Sequence, residues 1–150
     1  MKSKLTVICL YVLVSTDISL CQEQGFLYFG ATKQEIISYL GIPTEISSEK
    51  ESVLLTYIYS YSSILEETNM FTYKLKNDKC YSIINAYTYS DTLFALIKFN
   101  AIVKASRLDN EVLQDDTYKK RFLYKTYIVT ISFTKFDSYI VVWSITNLQQ

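Results

Sequence analysis

The chain has 150 residues, 49% of them hydrophobic and 20% charged, so it is long enough and apolar enough for one packed domain. Its 15 Lys and Arg residues balance its 15 Asp and Glu residues, and the zero formal charge disfavours nucleic-acid binding. There is no His, which excludes a His-ligated metal and every Ser-His or Cys-His catalytic dyad.

The N-terminal segment is typical of an export signal. Lys2 and Lys4 precede the apolar run 5–14, and small residues follow in a pattern that signal peptidases cleave. The run is too short to span a bilayer, which needs about 20 residues. We predict a signal peptide over residues 1–21 and a single domain over 22–150; the alternative is that residues 5–14 form a buried first strand.

Cys21 occupies the place where a lipidated cysteine would stand. The bulky Leu20 before it disfavours lipidation, so we expect simple cleavage and an exported protein, periplasmic or secreted. Membrane association is expected only if Cys21 carries lipid. The remaining cysteine, Cys80, has no partner for an intramolecular disulfide and reads as a small buried hydrophobe in a strand.

The first element after this segment is a short helix with clear end signals. Thr32 and Glu35 form a capping box, and Gly41 followed by Pro43 ends the helix after about two turns. Its apolar stripe consists of Ile36, Ile37 and Leu40.

The hydrophobic period then changes to two, which indicates β-strands. Residues 53–61, 71–75 and 80–89 alternate in this way, with an Asn77-Asp78 turn before the last of them. The pattern predicts a three-stranded antiparallel meander.

A second helix and a hairpin complete the predicted fold. Residues 93–108 form the helix, residues 109–122 a charged connector, and residues 127–145 a C-terminal β-hairpin. The predicted class is α+β, with both helices packed on one face of the sheet. One broad side of the second helix is expected to pack under the sheet; it comprises Leu93, Leu96, Ile97, Asn100, Ala101 and Lys104, widened by Phe94, Phe99 and Val103.

Tyrosines recur along the predicted meander and are the candidate binding residues. On the core side of the sheet they are ordinary cross-strand packing; on its open side they form a rigid aromatic platform for a partner. The set is Tyr57, Tyr59, Tyr61, Tyr81, Tyr87 and Tyr89.

Catalytic and metal-binding motifs do not occur in the sequence. The acid pairs Glu66-Glu67 and Asp115-Asp116 are the sole support for a hydrolase, and their flanks favour solvated loop charge. No Cys-x-x-Cys pair, phosphate-binding glycine loop or nucleophile elbow is present. We therefore predict no enzyme, no cofactor and no metal.

The helix signals and the strands that follow resemble the SmpA/OmlA family of small envelope lipoproteins, whose fold is similar to that of β-lactamase inhibitor protein. The matching residues are Gly30, Thr32, Glu35, Leu40, Gly41 and Pro43, followed by the strand around Tyr57-Ile58-Tyr59 and the hairpin at 71–83. The resemblance extends over about residues 26–86.

This resemblance implies a non-catalytic protein-binding module outside the cytoplasm, acting in envelope assembly or as an inhibitor. Its expected partner is another envelope or secreted protein. The alternative is a small-ligand carrier in which a helix and a curved sheet enclose an aromatic pocket, as in cystatin- or NTF2-like folds.

Overall fold

A computed structural model describes residues 28–60, 68–107, 110–135 and 137–149. The predicted signal peptide at residues 1–21, including Cys21, lies outside these described residues. The described elements are, in chain order, α1 (Lys33–Leu40), β1 (Glu45–Glu49), β2 (Ser52–Ser60), β3 (Thr68–Lys76), β4 (Lys79–Tyr89), α2 (Thr92–Arg107), β5 (Glu111–Asp115), β6 (Lys119–Tyr124), β7 (Tyr127–Lys135) and β8 (Tyr139–Asn147).

The eight strands form one sheet in the order β1-β2-β3-β4-β8-β7-β6-β5, and every neighbouring pair is antiparallel. Each half of the chain contributes a helix followed by four strands. β4 and β8, the last strands of the two halves, pair at the centre of the sheet. The two halves therefore share one continuous ladder of backbone hydrogen bonds.

The predicted architecture is wrong, because the described strands form one eight-stranded sheet and not a three-stranded meander with a separate C-terminal hairpin. The predicted hairpin is the β7–β8 part of this sheet, since residues 139–146 of β8 pair with residues 82–89 of β4. Pairing between strands that are distant in the chain depends on tertiary contacts, so no local sequence pattern predicts it.

Three further strands, β1, β5 and β6, were missing from the prediction. β1 and β5 are the two edge strands, and their residues are largely exposed on both faces, so they lack the apolar alternation of a half-buried strand. β6 begins with charged residues and lies in what the sequence suggested was a connector.

α1 confirms the predicted end signals. The Thr32 hydroxyl accepts a hydrogen bond from the Glu35 amide, and the Glu35 carboxylate accepts one from the Thr32 amide at 2.7 Å. Gly41 follows the helix at φ 83°, a conformation that glycine adopts readily. Ile36 is the buried residue of the helix and fixes its orientation on the sheet.

α2 forms where it was predicted, and Asp91 accepts hydrogen bonds from the first amides of the helix. The predicted inward side was right for Phe99 and Val103, which are buried, and wrong for Leu93, which is 62% exposed, as well as for the exposed Asn100 and Lys104. The helix is apolar almost all round, so the period of its apolar residues does not identify the buried side. Contact with the sheet determines which residues are buried. The buried residues are Ala95, Lys98, Phe99, Ile102, Val103 and Ser106.

Alternating residues give the sheet two unlike faces. On the helix face, side chains from β2, β3 and β4 pack with Ile36 of α1, and side chains from β4, β6, β7 and β8 pack with α2; Phe29 contacts both clusters. On the opposite side, the open face, no described residue belongs to either cluster. The central open-face residues are Thr56, Met70, Thr72, Ser82, Ile84, Ala86, Thr130, Ser132, Val142, Ser144 and Thr146.

Candidate functional site

The six predicted tyrosines are divided between the core and the surface. Tyr57, Tyr87 and Tyr89 are buried on the helix face, so their rings serve packing. Tyr59 lies on the same face towards the end of β2 and is 39% exposed. Tyr81 lies at a register irregularity in β4, with its hydroxyl 3.1 Å from Ser52 Oγ. Tyr61 lies outside the described residues.

The buried tyrosines near α1 hold the end of that helix on the sheet. Tyr57 donates a hydrogen bond to the Gly41 carbonyl at 3.1 Å, and its ring meets that of Tyr73 edge-on at 5.9 Å. Tyr28 approaches Tyr73 at 5.4 Å in the same geometry. Burial raises the pKa of the Tyr57 and Tyr73 hydroxyls, so both remain protonated donors.

The open face carries a row of short hydroxyl side chains that runs across the strands. The registers align Glu45, Thr56, Thr72, Ile84, Ser144, Thr130, Arg121 and Gln114 from one edge of the sheet to the other. The row therefore has an acidic residue at the β1 edge, hydroxyl groups and one Ile in the middle, and a basic residue on β6.

Neighbouring hydroxyls on this face bond to one another. Thr56 Oγ1 lies 3.2 Å from Thr72 Oγ1, and Ser82 Oγ lies 2.9 Å from Thr146 Oγ1. Each pair contains two hydroxyls that both donate and accept, so it keeps acceptor sites for a ligand. These hydroxyl pairs are uncharged, and Lys74, opposite Ser82 in the register, brings a cation bound to Glu49 onto the same face.

Apolar side chains adjoin this hydroxyl row on one side. The next row of the open face contains Ile58, Met70, Ala86 and Val142 before it reaches Ser132. The hydroxyl row and the aliphatic row beside it give this face a mixed polarity.

Neighbouring basic and amide side chains bind the acid pair Asp115-Asp116 at the end of β5. Asp115 forms ion pairs with Lys120 and Arg107, and the hydrogen bond from Lys120 is the largest cause of its lowered pKa. Glu66 and Glu67 lie outside the described residues. Among the residues described, no three His, Cys, Asp or Glu side chains gather into a group that would hold a metal ion.

Cys80 is fully buried, as its position in an apolar strand indicated. Burial raises the pKa of its thiol to about 12, so the reactive thiolate is scarcely populated at neutral pH. The thiol packs in the same cluster as Ile36 of α1.

A small polar cluster lies inside the helix-face core. Asn85 is fully buried and donates to the Tyr87 hydroxyl at 2.9 Å, while the Lys98 ammonium lies 4.0 Å from the centre of the Tyr87 ring. The amide oxygens of Asn69 and Asn85 have no hydrogen-bond partner in the described structure. An ordered water or a small donor-bearing molecule would satisfy buried acceptors of this kind.

The hydroxyl residues of the open face were not among the predicted binding residues. Their signal was visible in the alternation of Thr and Ser with apolar residues along β2, β3 and β8. Sequence alone does not say which of two alternating faces a helix covers.

Comparisons with known proteins give little guidance. No family model matches the chain, and no curated protein matches it. One solved structure with a detectable likeness is a cysteine-rich secretory protein from Staphylococcus aureus, with 9% sequence identity and a TM-score of 0.42. The match covers 82% of this chain and 46% of the other, so the chain spans less than half of that protein's length.

In the described parts of the chain, neither helix is long and apolar enough to cross a membrane.

Proposed function

We propose that this protein is an exported, non-catalytic module that binds another protein through the open face of its sheet. The observation that carries the proposal is the contrast between the two faces. Both described helices pack on one face, while the other presents rows of short hydroxyl and aliphatic side chains.

The physical properties of the open face support a binding role. Its hydroxyl residues have short side chains that lose little rotamer entropy when a partner covers them. The eight-stranded ladder holds these residues in fixed positions, so the surface is formed before the partner arrives. Thr56, Thr72, Ser82 and Ala86 are each less than 9% exposed, so the more exposed residues around them would make most of the contact with a partner.

The export signal and the family resemblance in the sequence support a partner in the envelope or outside the cell, in assembly or as the target of inhibition. Membrane attachment enters this proposal only through a lipid on Cys21. No cofactor or metal belongs to the proposed function.

The test compares two arginine substitutions in the immobilised full chain, exposed to envelope and culture-supernatant extracts. Ser144→Arg places a long charged side chain in the middle of the open face, beside Ile84 and Thr130. Asn100→Arg is the matched control, since Asn100 lies at an exposed position of α2. Equal urea midpoints for both variants and the wild type establish that all three are folded.

A stoichiometric protein that is retained by the wild type and Asn100→Arg and lost by Ser144→Arg is the expected result. Its identity follows from mass spectrometry of the eluate. Equal recovery on all three proteins, or recovery of no stoichiometric protein, contradicts binding through the open face.

A small-ligand carrier is the second candidate, and the orphaned oxygens of Asn69 and Asn85 favour it. Native mass spectrometry of the purified chain tests it. A bound organic molecule that an Asn85→Leu variant no longer holds supports a carrier, whereas a mass equal to that of the bare polypeptide argues against one.

A further inference from the structure

Among the described strands β1 lies at an edge of the sheet, and no described strand pairs with the backbone groups on its outer side. The orientation follows from the Ile58 amide, which donates to the Thr44 hydroxyl at 3.1 Å and therefore points from β2 towards the β1 side. In a regular antiparallel pair, alternate residues turn their backbone groups to the same neighbour. The backbone N–H and C=O groups of Thr56, Leu54 and Ser52 therefore also point towards β1.

The partners of those three residues in β1 are Glu45, Ser47 and Glu49, whose backbone groups bond inward to β2. Ile46 and Ser48 then direct their N–H and C=O groups away from the sheet. Two outward-facing residues give an added strand up to four backbone hydrogen bonds. Ile46 is also 49% exposed, which leaves an apolar side chain beside those groups.

The charges on β1 oppose pairing with a second copy of this chain. In an antiparallel self-pair centred on Ser47, Glu45 of each copy lies opposite Glu49 of the other. Like charges directly opposite each other destabilise a sheet. Edge strands commonly use charge in this way to prevent self-association.

The same charges favour a basic partner. Glu49 already accepts a hydrogen bond from Lys74 at 2.9 Å, whereas no ion pair is found for Glu45 among the described residues. β5, the other edge, is less suited to strand addition, because its pairing with β6 is irregular and Asp115 is engaged by two cations.

We propose that the outer edge of β1 binds a basic, extended segment of another protein as an added antiparallel strand. A Lys or Arg of that segment lies opposite Glu45, and a β-branched residue lies opposite Ile46. Glu45 contributes most of the electrostatic attraction for the added strand. Glu49 contributes less, because its carboxylate is already paired with Lys74. This surface meets the hydroxyl row of the open face at Glu45, but its outward backbone groups on Ile46 and Ser48 are not part of that face.

The test is an NMR titration of the ¹⁵N-labelled full chain with two synthetic peptides. The basic peptide has lysine at the first and fifth positions of a central five-residue segment, valine at the fourth and threonine at the second and third. The acidic control peptide has glutamate in place of both lysines. We expect the basic peptide to shift the amide signals of Ile46 and Ser48 and their neighbours in β2, and the acidic peptide to bind at least about fivefold more weakly.

Two pairs of variants separate strand addition from non-specific attraction. Ser48→Pro removes an outward N–H and leaves the inward ladder intact, while Ser48→Ala retains that N–H. We expect the shifts to vanish in Ser48→Pro and to persist in Ser48→Ala. Glu45→Lys is expected to reverse the preference between the two peptides, and Glu49→Gln to weaken binding by less than Glu45→Gln does.

Three results overturn the proposal: shifts located away from β1, equal binding by Ser48→Pro and Ser48→Ala, or concentration-dependent broadening of β1 signals without peptide, which indicates self-pairing. Ser144→Arg separates this proposal from the proposed function. It is expected to keep the peptide shifts, whether or not a partner of the open face is lost.

Discussion

Replacing Ile36 with Ala is the most direct test of how α1 is held on the sheet. Ile36 is fully buried, and it packs with Leu55, Leu75 and Ile83 from three strands. The substitution removes three carbon atoms, worth about 0.8 kcal/mol each in transfer free energy, and leaves a cavity that the sheet fills only in part. We expect the free energy of unfolding to fall by about 3 kcal/mol.

The assay is urea unfolding followed by two probes. Far-UV circular dichroism reports the whole sheet, and fluorescence reports Trp143, the single Trp, which is buried in the α2 cluster. With a slope of about 1.5 kcal/mol per molar urea, the midpoint falls by about 2 M. Because β4 and β8 join the two halves, we expect both probes to give the same lowered midpoint.

Ile42→Ala is the matched control, since Ile42 is 89% exposed and its truncation is expected to cost less than about 0.5 kcal/mol. The reasoning is refuted if Ile36→Ala costs less than about 1 kcal/mol, or if Ile42→Ala costs as much. A Trp143 midpoint that does not move while the circular dichroism midpoint falls shows instead that the halves unfold separately.

Three other predictions concern single side chains. Thr32→Ala removes the N-cap of α1 and is expected to destabilise the protein by about 1 kcal/mol in urea unfolding, with no change if the cap is unimportant. Iodoacetamide at pH 8 is expected to leave the peptide containing Cys80 unmodified in the folded protein and to alkylate it in urea, because burial raises the pKa of this thiol; rapid modification of the folded protein contradicts that burial. The pKa of Asp115 is lowered chiefly by Lys120, so its contribution to stability is present above the unfolded-state value of about 4 and is lost as the pH falls through the lower folded-state value. Wild type is therefore expected to lose more stability than Asp115→Asn between about pH 5 and pH 2, and parallel urea midpoints over that range contradict the ion pair.

Local signals in the sequence predicted the elements whose cause is local. The capping box of Thr32 and Glu35 and the glycine at position 41 set the ends of α1 within the chain segment itself. The turn at Asn77 and Asp78 was also predicted, and both residues have positive φ, as Asn and Asp tolerate. None of these features needs a distant partner.

The candidate site was less predictable because its residues are distinguished by what covers them. Tyr57 and Tyr59 lie on the same face of β2, yet Tyr57 is buried beneath the end of α1 and Tyr59 is partly exposed. Thr72 and Tyr73 are adjacent in the chain and lie on opposite faces. The period of two shows which residues share a face, but it does not show which face the helices will cover.

The sequence by itself determined the two helices, the strongly alternating strands and the burial of Cys80, because each depends on residues a few positions apart. Only the tertiary structure decided that eight strands form one sheet, that β4 and β8 join its halves, and that β1 is left at an edge. Edge strands such as β1 are exposed on both faces, so they bury too little apolar surface to show a period. Edge strands form through backbone hydrogen bonds to a neighbouring strand. Their side-chain pattern therefore predicts them poorly.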